Sequence, residues 1–564
     1  MRRWSETAVR VAATARTTEK TAILAEYLAT LDAAELPIAA VLLTGRPFPQ
    51  HDPRTLGLGW SGLAAVVLAM AGADEDAFRR AYDLTSDVSA AVRLVLEEAG
   101  LAASSGEPTL PEVRAAFDAM EAATGAAAKQ ALLDGLLRRC SPGTVAGIVK
   151  VLTGEVRIGL REGLLETAIA RAFNRPLAVV QRAGQLTGDV GRTAQLARDD
   201  RLGEATVTLF HPLRCMLASP AEDAAEIMTR LGPTAWVEDK YDGIRAQLHR
   251  RGSEVRLFSR DLNDIGGQFP EVVDGARDLP WTGILDGEIL AWRDSQVLPF
   301  LQLQARLGRK APSAKIRAEV PVIFVAWDAL ALDTDGDGVP RPLLDEALAE
   351  RRHRLEALHL PLAADSGCFA LSHLVTVDSV EALEAAFTAA RARRNEGLLV
   401  KDPTSRYTPG RRGLGWLKMK KALATLDCVV VGVETGHGKR HGVLSDYTFA
   451  VRDEAAGTLV TIGKAYSGLT DAELAVMTRW FEAHTVSHHG RYRVVEPSIV
   501  VEVAFDVIMR STRHRSGYAL RFPRIARLRP DKAAADADTT TTVERLYGEL
   551  QHGAEHLVTA TARR

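Results

Sequence analysis

Apolar residues recur at spacings of three and four through residues 1–205. "TAILAEYLATLDAAELPIAAVLLTG", "PEVRAAFDAMEAAT" and "AAAKQALLDGLLRRCSPGTVAGIVKVLTG" all show it, and that is the period of amphipathic helices. This region is predicted to be all-α, a scaffold or interaction domain. Across 206–420 the texture changes to short strand-like runs: "AWVEDK", "RAQLHR", "EVRLFS", "GILDGEILAW", "VPVIFVAWDALAL" and "EGLLVK". Helical stretches such as "PLLDEALAERRHRLEALH" lie between them, so a mixed α/β domain is predicted. Over 421–540 strands dominate, as in "LDCVVVGVETG", "DYTFAV", "TLVTIGKAYSG" and "SIVVEVAFDVIM", with one helix, "DAELAVMTRWFEAHT". A β-rich unit of this size with one inserted helix suits a small barrel such as an OB-fold. "AAADADTTTT" reads as a loop, and 541–564 as a short terminal helix and tail. No internal repeat is visible.

One stretch breaks the routine. In "WVEDKYDGIRAQLH", Lys240 stands between Asp239 and Asp242, ahead of Gly243 and Arg245. After the glycine, apolar Ile244, Ala246 and Leu248 alternate with polar Arg245, Gln247 and His249. That is the period of a half-buried strand entered through an Asp-Gly turn. Taken alone, the stretch reads equally well as a hairpin with a solvated charge cluster.

Bulk properties narrow the field only a little. The chain has 564 residues, enough for roughly three or four domains. No apolar run approaches the roughly 20 residues that span a bilayer, and "MRRWSETAVRVAATARTTEK" lacks the apolar core of a secretory signal. Cys140, Cys215, Cys368 and Cys428 are far apart with no C-x-x-C pair, which argues against a zinc ribbon and suits a reducing cytoplasm. The net charge is −2, yet the cations cluster locally. From Arg510 to Lys532 eight of them face Asp531 alone, and "SRYTPGRRGLGWLKMKK" is a second basic stretch. Such patches attract a phosphate backbone without reading its sequence.

Further stretches follow "EDKYDGIR" in order: "FSRDLNDIGGQFPE" with Arg260, "LDGEIL" with Glu288, "VIFVAWDALAL" with Trp327, "EGLLVK" with Glu396 and Lys401, "RRGLGWLKMKK" with Arg412, Lys418 and Lys420, and "RFPRIARLRPDK". Each alone is a weak signal. The ordered set resembles the motifs of covalent nucleotidyltransferases, specifically ATP-dependent DNA ligases. "VLLTGRPFP" and "LTGEVRIGLREGLLETAIARAFN" resemble the helical DNA-binding domain of the archaeal and eukaryotic replicative type, and "FHPLRCMLASP" resembles the entry to the adenylation domain. The bacterial accessory ligases of this three-domain type look most similar.

The resemblance implies a helical DNA-binding domain (1–205), a nucleotidyltransferase adenylation domain (206–420) and an OB-fold domain (421–540). It implies ATP and Mg²⁺ as cofactors, and as partner nicked duplex DNA bound without sequence specificity by a cytoplasmic monomer that uses no membrane. Lys240 is the implied nucleophile. It attacks the α-phosphate of ATP, and AMP then passes to the 5′-phosphate of a nick and leaves when the 3′-hydroxyl attacks. A lysine amine attacks only when neutral, and an unperturbed one, with a pKa of about 10.4, is nearly all protonated at pH 7. Cations therefore have to outweigh Asp239 and Asp242, and Arg245, Lys418, Lys420 and magnesium are the candidates. By the same resemblance Glu238 accepts from the adenine amino group or otherwise selects the base, and Arg245 and Arg260 hold ribose and phosphate. Glu288 and Glu396 bind Mg²⁺, and Arg412, Lys418 and Lys420 contact phosphates. Arg521, Arg524 and Lys532 swing in with the barrel for the first step. Trp327 stands where the family has a phenylalanine stacked on adenine, so the shape of that pocket differs.

Other readings share parts of this pattern. A capping guanylyltransferase or an RNA ligase also carries K-x-D-G, but the helical N-terminal region counts against both. An NAD-dependent ligase is disfavoured by the missing four-cysteine zinc site, and a DNA-binding scaffold by the intact Lys240, Glu288, Glu396 and Lys418. "DTDGDG" at 333–338 begins like an EF-hand loop, but Leu344 stands where the twelfth-position glutamate belongs. A surface turn is predicted there.

Overall fold

A computed structural model describes residues 1–552 apart from 86, 102–105, 157, 161, 294, 295, 299, 310, 363–366, 394, 420–423, 437–441 and 506. The chain divides into two compact units. The first comprises Met1–Ser219, Thr234–Thr376 and Lys401–Leu417; the second comprises Pro220–Pro233, Val377–Val400 and Lys418–Arg564. Among the described residues no helix is long and apolar enough to cross a membrane. All four cysteines are free thiols.

The first unit opens with helices from Arg2–Ala12 to Val190–Arg198. The long periodic runs break where backbone chemistry demands it. Ser141 caps and Pro142 opens a new helix, Pro142–Leu152, after Ala126–Leu137, because proline lacks an N–H and fits the first turn. Thr109 and Glu112 close a capping box on Leu110–Ala122. The faces so aligned bury one apolar core that includes Trp4, Leu36, Phe117 and Ile148.

The mixed part of this unit centres on strands β1 (Ala235–Lys240), β2 (Ile244–Arg251), β3 (Glu254–Ser259), β4 (Gly283–Arg293) and β5 (Val322–Leu332). The order β3-β2-β4-β5 is antiparallel, and Phe369–Leu371 adds in parallel to β5. β1 lies in a different sheet from β2, so the Asp242-Gly243 turn joins two sheets and the hairpin reading fails. β2 is also not half-buried. Gln247 and His249 are as inaccessible as Leu248, because residues 210–213 cover their face. Phe210 N donates to His249 Nδ1 at 3.0 Å and Leu213 N to Gln247 Oε1 at 2.9 Å. Burial drives the His249 imidazole down to about 3, so it serves as a neutral acceptor. The helix expected over 342–359 is shorter, Leu348–Glu356, since Arg341–Pro342 pairs with β5 and Leu343 N donates to Leu330 O.

The second unit is built on antiparallel strands β6 (Ala424–Thr435), β7 (Leu444–Asp453), β8 (Thr458–Ala465), β9 (Thr485–His489), β10 (Tyr492–Val495), β11 (Val500–Phe505), β12 (Val507–Arg510), β13 (Tyr518–Arg521) and β14 (Arg524–Leu528). β6 pairs with β7, β10 and β11. β12 and β13 form a separate ribbon. The predicted helix is present as Asp471–Ala483 with a Thr470–Glu473 capping box. The terminal helix starts at Thr540, earlier than expected. Thr539 caps it through Thr542 N, which a run of threonines read as loop does not reveal.

Candidate active site

Lys240 ends β1 and is half-buried. The turn after it is tight for a steric reason. A Cβ on Gly243 would lie 2.5 Å from Ile289 O and 2.7 Å from Glu288 Cγ, so only glycine lets the chain pass this close to β4. Lys240 and Glu288 are thereby placed within electrostatic reach of each other.

Arg245 lies opposite Glu288 in the β2–β4 ladder. Its guanidinium grips Asp286, with Nε to Oδ1 at 3.1 Å and Nη2 to Oδ2 at 2.6 Å, and its Nη1 donates to Met216 O at 2.7 Å. Tyr407 OH donates to the same carboxylate at 2.8 Å. Burial works against the arginine's charge, but Asp286 more than restores it and holds it well above its ordinary value. Sequence reasoning missed Asp286, although it sits two residues before Glu288 in "LDGEIL" and the period of two puts both on one face. Tyr407 carries no comparable local signal.

Glu288 reaches the described site in an unusual electrostatic state. Burial pushes its carboxyl up to about 8, against the opposing pull of Arg245 and Lys240. A carboxyl whose charge is penalised this strongly gains from a bound cation, which fits a hard-cation ligand. The sign of the linkage follows. The folded state holds this proton more tightly than the unfolded chain, so stability is full below about pH 4.5 and falls as pH rises toward about 8. Glu288→Gln is expected to melt with the parent at pH 5 and several degrees above it at pH 8 without divalent cation, read by thermal unfolding at both values.

Trp327 is the extra residue of a β-bulge. Asp328 pairs with Asp286 and Ala326 with Gly287, leaving Trp327 between them; bulges re-aim side chains in this way. Its ring is 4% exposed. Arg245 lies 5.4 Å and Lys401 5.8 Å from the ring centroid. Glu238 is 2% exposed, and its Oε2 accepts from Lys401 Nζ at 2.5 Å.

Arg260 is exposed after β3 and lines a cavity of about 640 Å³ with Arg46 and Arg214. Arg412 is exposed at the start of the strand Arg412–Met419. Glu396 and Lys418 belong to the second unit, and Lys420 lies outside the described residues. The basic run 510–532 is less positive than its sequence suggests. Arg527 pairs with Glu502 at 2.6 Å, Lys532 with Asp427 at 2.6 Å, and Arg529 with Asp427 and Asp531 at 2.9 and 2.7 Å. "DTDGDG" folds as an exposed turn. Asp333 accepts from Gly336 N and Gly338 N, and Asp335 and Asp337 pair with Arg341.

Comparison with known proteins shows the family. Residues 1–170 match the family model "DNA ligase N terminus", 215–420 "ATP dependent DNA ligase domain" and 440–532 "ATP dependent DNA ligase C terminal region". A "Probable DNA ligase" of Koribacter versatilis is 46% identical over 97% of this chain and 96% of its own length. One from Opitutus terrae is 44% identical over 96% of this chain, which spans 62% of that relative. The "DNA ligase" of Archaeoglobus fulgidus is 34% identical over 94% of this chain and 95% of its own. The solved structure "Pmar-Lig_PreS3" shares the fold, with a TM-score of 0.59 and 16% identity over 93% of this chain and 99% of that one. The matched domains define a multidomain nucleotidyltransferase. The chain belongs to the ATP-dependent DNA ligase family.

Proposed function

We propose that this chain seals nicks in duplex DNA, with Lys240 as the nucleophile. The observation that carries the reading is the gathering of Lys240, Glu288, Arg245 and Trp327 around the β1–β2 turn, where Gly243 admits no other residue. The Lys240 amine forms a bond to the α-phosphorus of ATP, and pyrophosphate leaves. AMP passes from the amine to the 5′-phosphate of a nick; the 3′-hydroxyl then forms the phosphodiester and AMP departs. Splitting one difficult displacement into easier ones is the use of a covalent intermediate. Phosphoryl transfer needs mainly alignment and charge neutralisation. Arg245, clamped by Asp286, is pre-aimed for the first of these, and Glu288 is the proposed magnesium ligand with Glu396. A magnesium ion held by them would supply charge neutralisation.

The roles of Arg260, Arg412, Lys418 and Lys420 at phosphates, of Glu238 and Trp327 at the base, and of Arg521, Arg524 and Lys532 in the first step belong to the same proposal. So do domains at 1–205, 206–420 and 421–540, the last an OB-fold, and sequence-blind action as a cytoplasmic monomer. Incubation with ATP and magnesium is expected to add one AMP to the protein, with GTP giving little, and a nicked DNA duplex then to be sealed. Labelling by GTP, or sealing of nicked RNA alone, would favour a capping or RNA-ligating enzyme instead.

A further inference from the structure

Lys401 ends the strand Gly397–Lys401 and is 0% exposed. A lysine this buried needs a partner, and it has one in Glu238. Nζ donates to Oε2 at 2.5 Å and stands 4.3 Å from the Trp416 ring centroid. Trp416 is itself buried, and its Nε1 donates to Ser405 Oγ at 3.3 Å. On the other side, Arg352 Nη1 lies 3.9 Å from Oε1, within ion-pair range but too far for a hydrogen bond. Arg352 is fixed in turn by Glu356 at 2.6 Å and by Ser372 Oγ at 2.7 Å. The Glu238 carboxylate thus has one oxygen bonded and the other steered but able to accept.

We propose that Lys401 is a positioning residue for base recognition: it holds Glu238 so that Oε1 meets the exocyclic amine of the nucleotide base. This rests on the ligase reading above. A carboxylate oxygen accepts and cannot donate. It therefore favours a base with an amino group at the 6-position and repels one with a keto oxygen there. Lys401 touches neither base nor phosphate in this role; it works by denying Glu238 its other orientations.

The test compares self-adenylation by ATP with self-nucleotidylation by two other triphosphates, inosine triphosphate and that of purine riboside, which lacks the 6-amino group. The native protein is expected to prefer ATP over the purine-riboside analogue by roughly ten- to a hundred-fold, the range for a hydrogen bond to a charged group. In Lys401→Met that preference is expected to fall to within a few-fold through a raised KM for ATP, with the analogue nearly unaffected. A merely structural lysine would slow both nucleotides equally and leave the preference intact, and that result overturns the assignment. Should Lys401→Met fail to fold by circular dichroism, the near-isosteric Glu238→Gln reads the same positioning: Lys401 holds the amide oxygen and turns the amide N–H₂ toward the base, so the preference shifts from ATP toward inosine triphosphate, and an unshifted preference overturns the assignment. No adduct with any triphosphate in the native protein overturns the ligase reading and this one with it, whereas an adduct with an unchanged preference overturns this one alone.

Discussion

Lys240→Ala eliminates the AMP adduct and with it nick sealing from ATP, while nick binding stays within a few-fold of the parent. The reason lies in what the residue contributes. Its amine is the proposed attacking atom, and alanine supplies no substitute nucleophile, so the loss is total and not graded. Binding to a nick, by contrast, draws on cations spread over the chain and falls only by the share of one of them. Lys240 is half-buried at a strand end, and circular dichroism of the variant checks that the fold survives. Intact-mass spectrometry after incubation with ATP and magnesium reads the adduct, and a gel shift on nicked duplex reads binding. An adduct that persisted in the alanine variant would place the nucleophile elsewhere.

The second large effect is on stability. Asp328 and Arg351 are both 0% exposed and form a bidentate pair at 2.8 and 2.9 Å. Asp328→Ala leaves a buried guanidinium without its carboxylate and is expected to cost about 3–5 kcal/mol. Arg351 keeps its bonds to Glu346 O and Ser405 O, but neutral carbonyls do not replace the lost charge. The damage should spread. Asp328 follows Trp327 at the bulge, and Arg351 lies 5.8 Å from the Tyr407 ring centroid, whose hydroxyl supports Asp286. The double variant Asp328→Leu/Arg351→Met is expected to recover most of the loss, because an apolar pair of similar volume needs no desolvation. Urea unfolding of the three proteins measures this. A single variant as stable as the parent would show that the pair is dispensable.

Much of this site is legible in the sequence. Lys240, Arg245, Glu288 and Trp327 were candidates by motif order alone, and the structure brings them together in one unit. What escaped were Asp286 and Tyr407, which hold Arg245, and Arg352 and Trp416, which flank Glu238 and Lys401. Tyr407 is separated from Asp286 by 121 residues, and no local pattern predicts such a pairing. Burial was also misread in β2, where Gln247 and His249 looked solvent-facing. Their partners come from residues 210–213, a segment whose own sequence does not announce that it will cover a strand.

The basic C-terminal run was misjudged for a related reason. Along the chain its cations face Asp531 alone, but in the fold Asp427 and Glu502 arrive from other strands and neutralise part of it. Sequence by itself determined the helix-then-mixed-then-strand order and the lysine at a strand end. These depend on periodicity and turn chemistry, which are local properties of the chain. Tertiary structure alone decided which charges are spent on one another, how deep Glu288 lies, and which residues grip Arg245 and Glu238. Electrostatics and desolvation depend on distance in space, and the chain reveals that distance only once its sheets have packed.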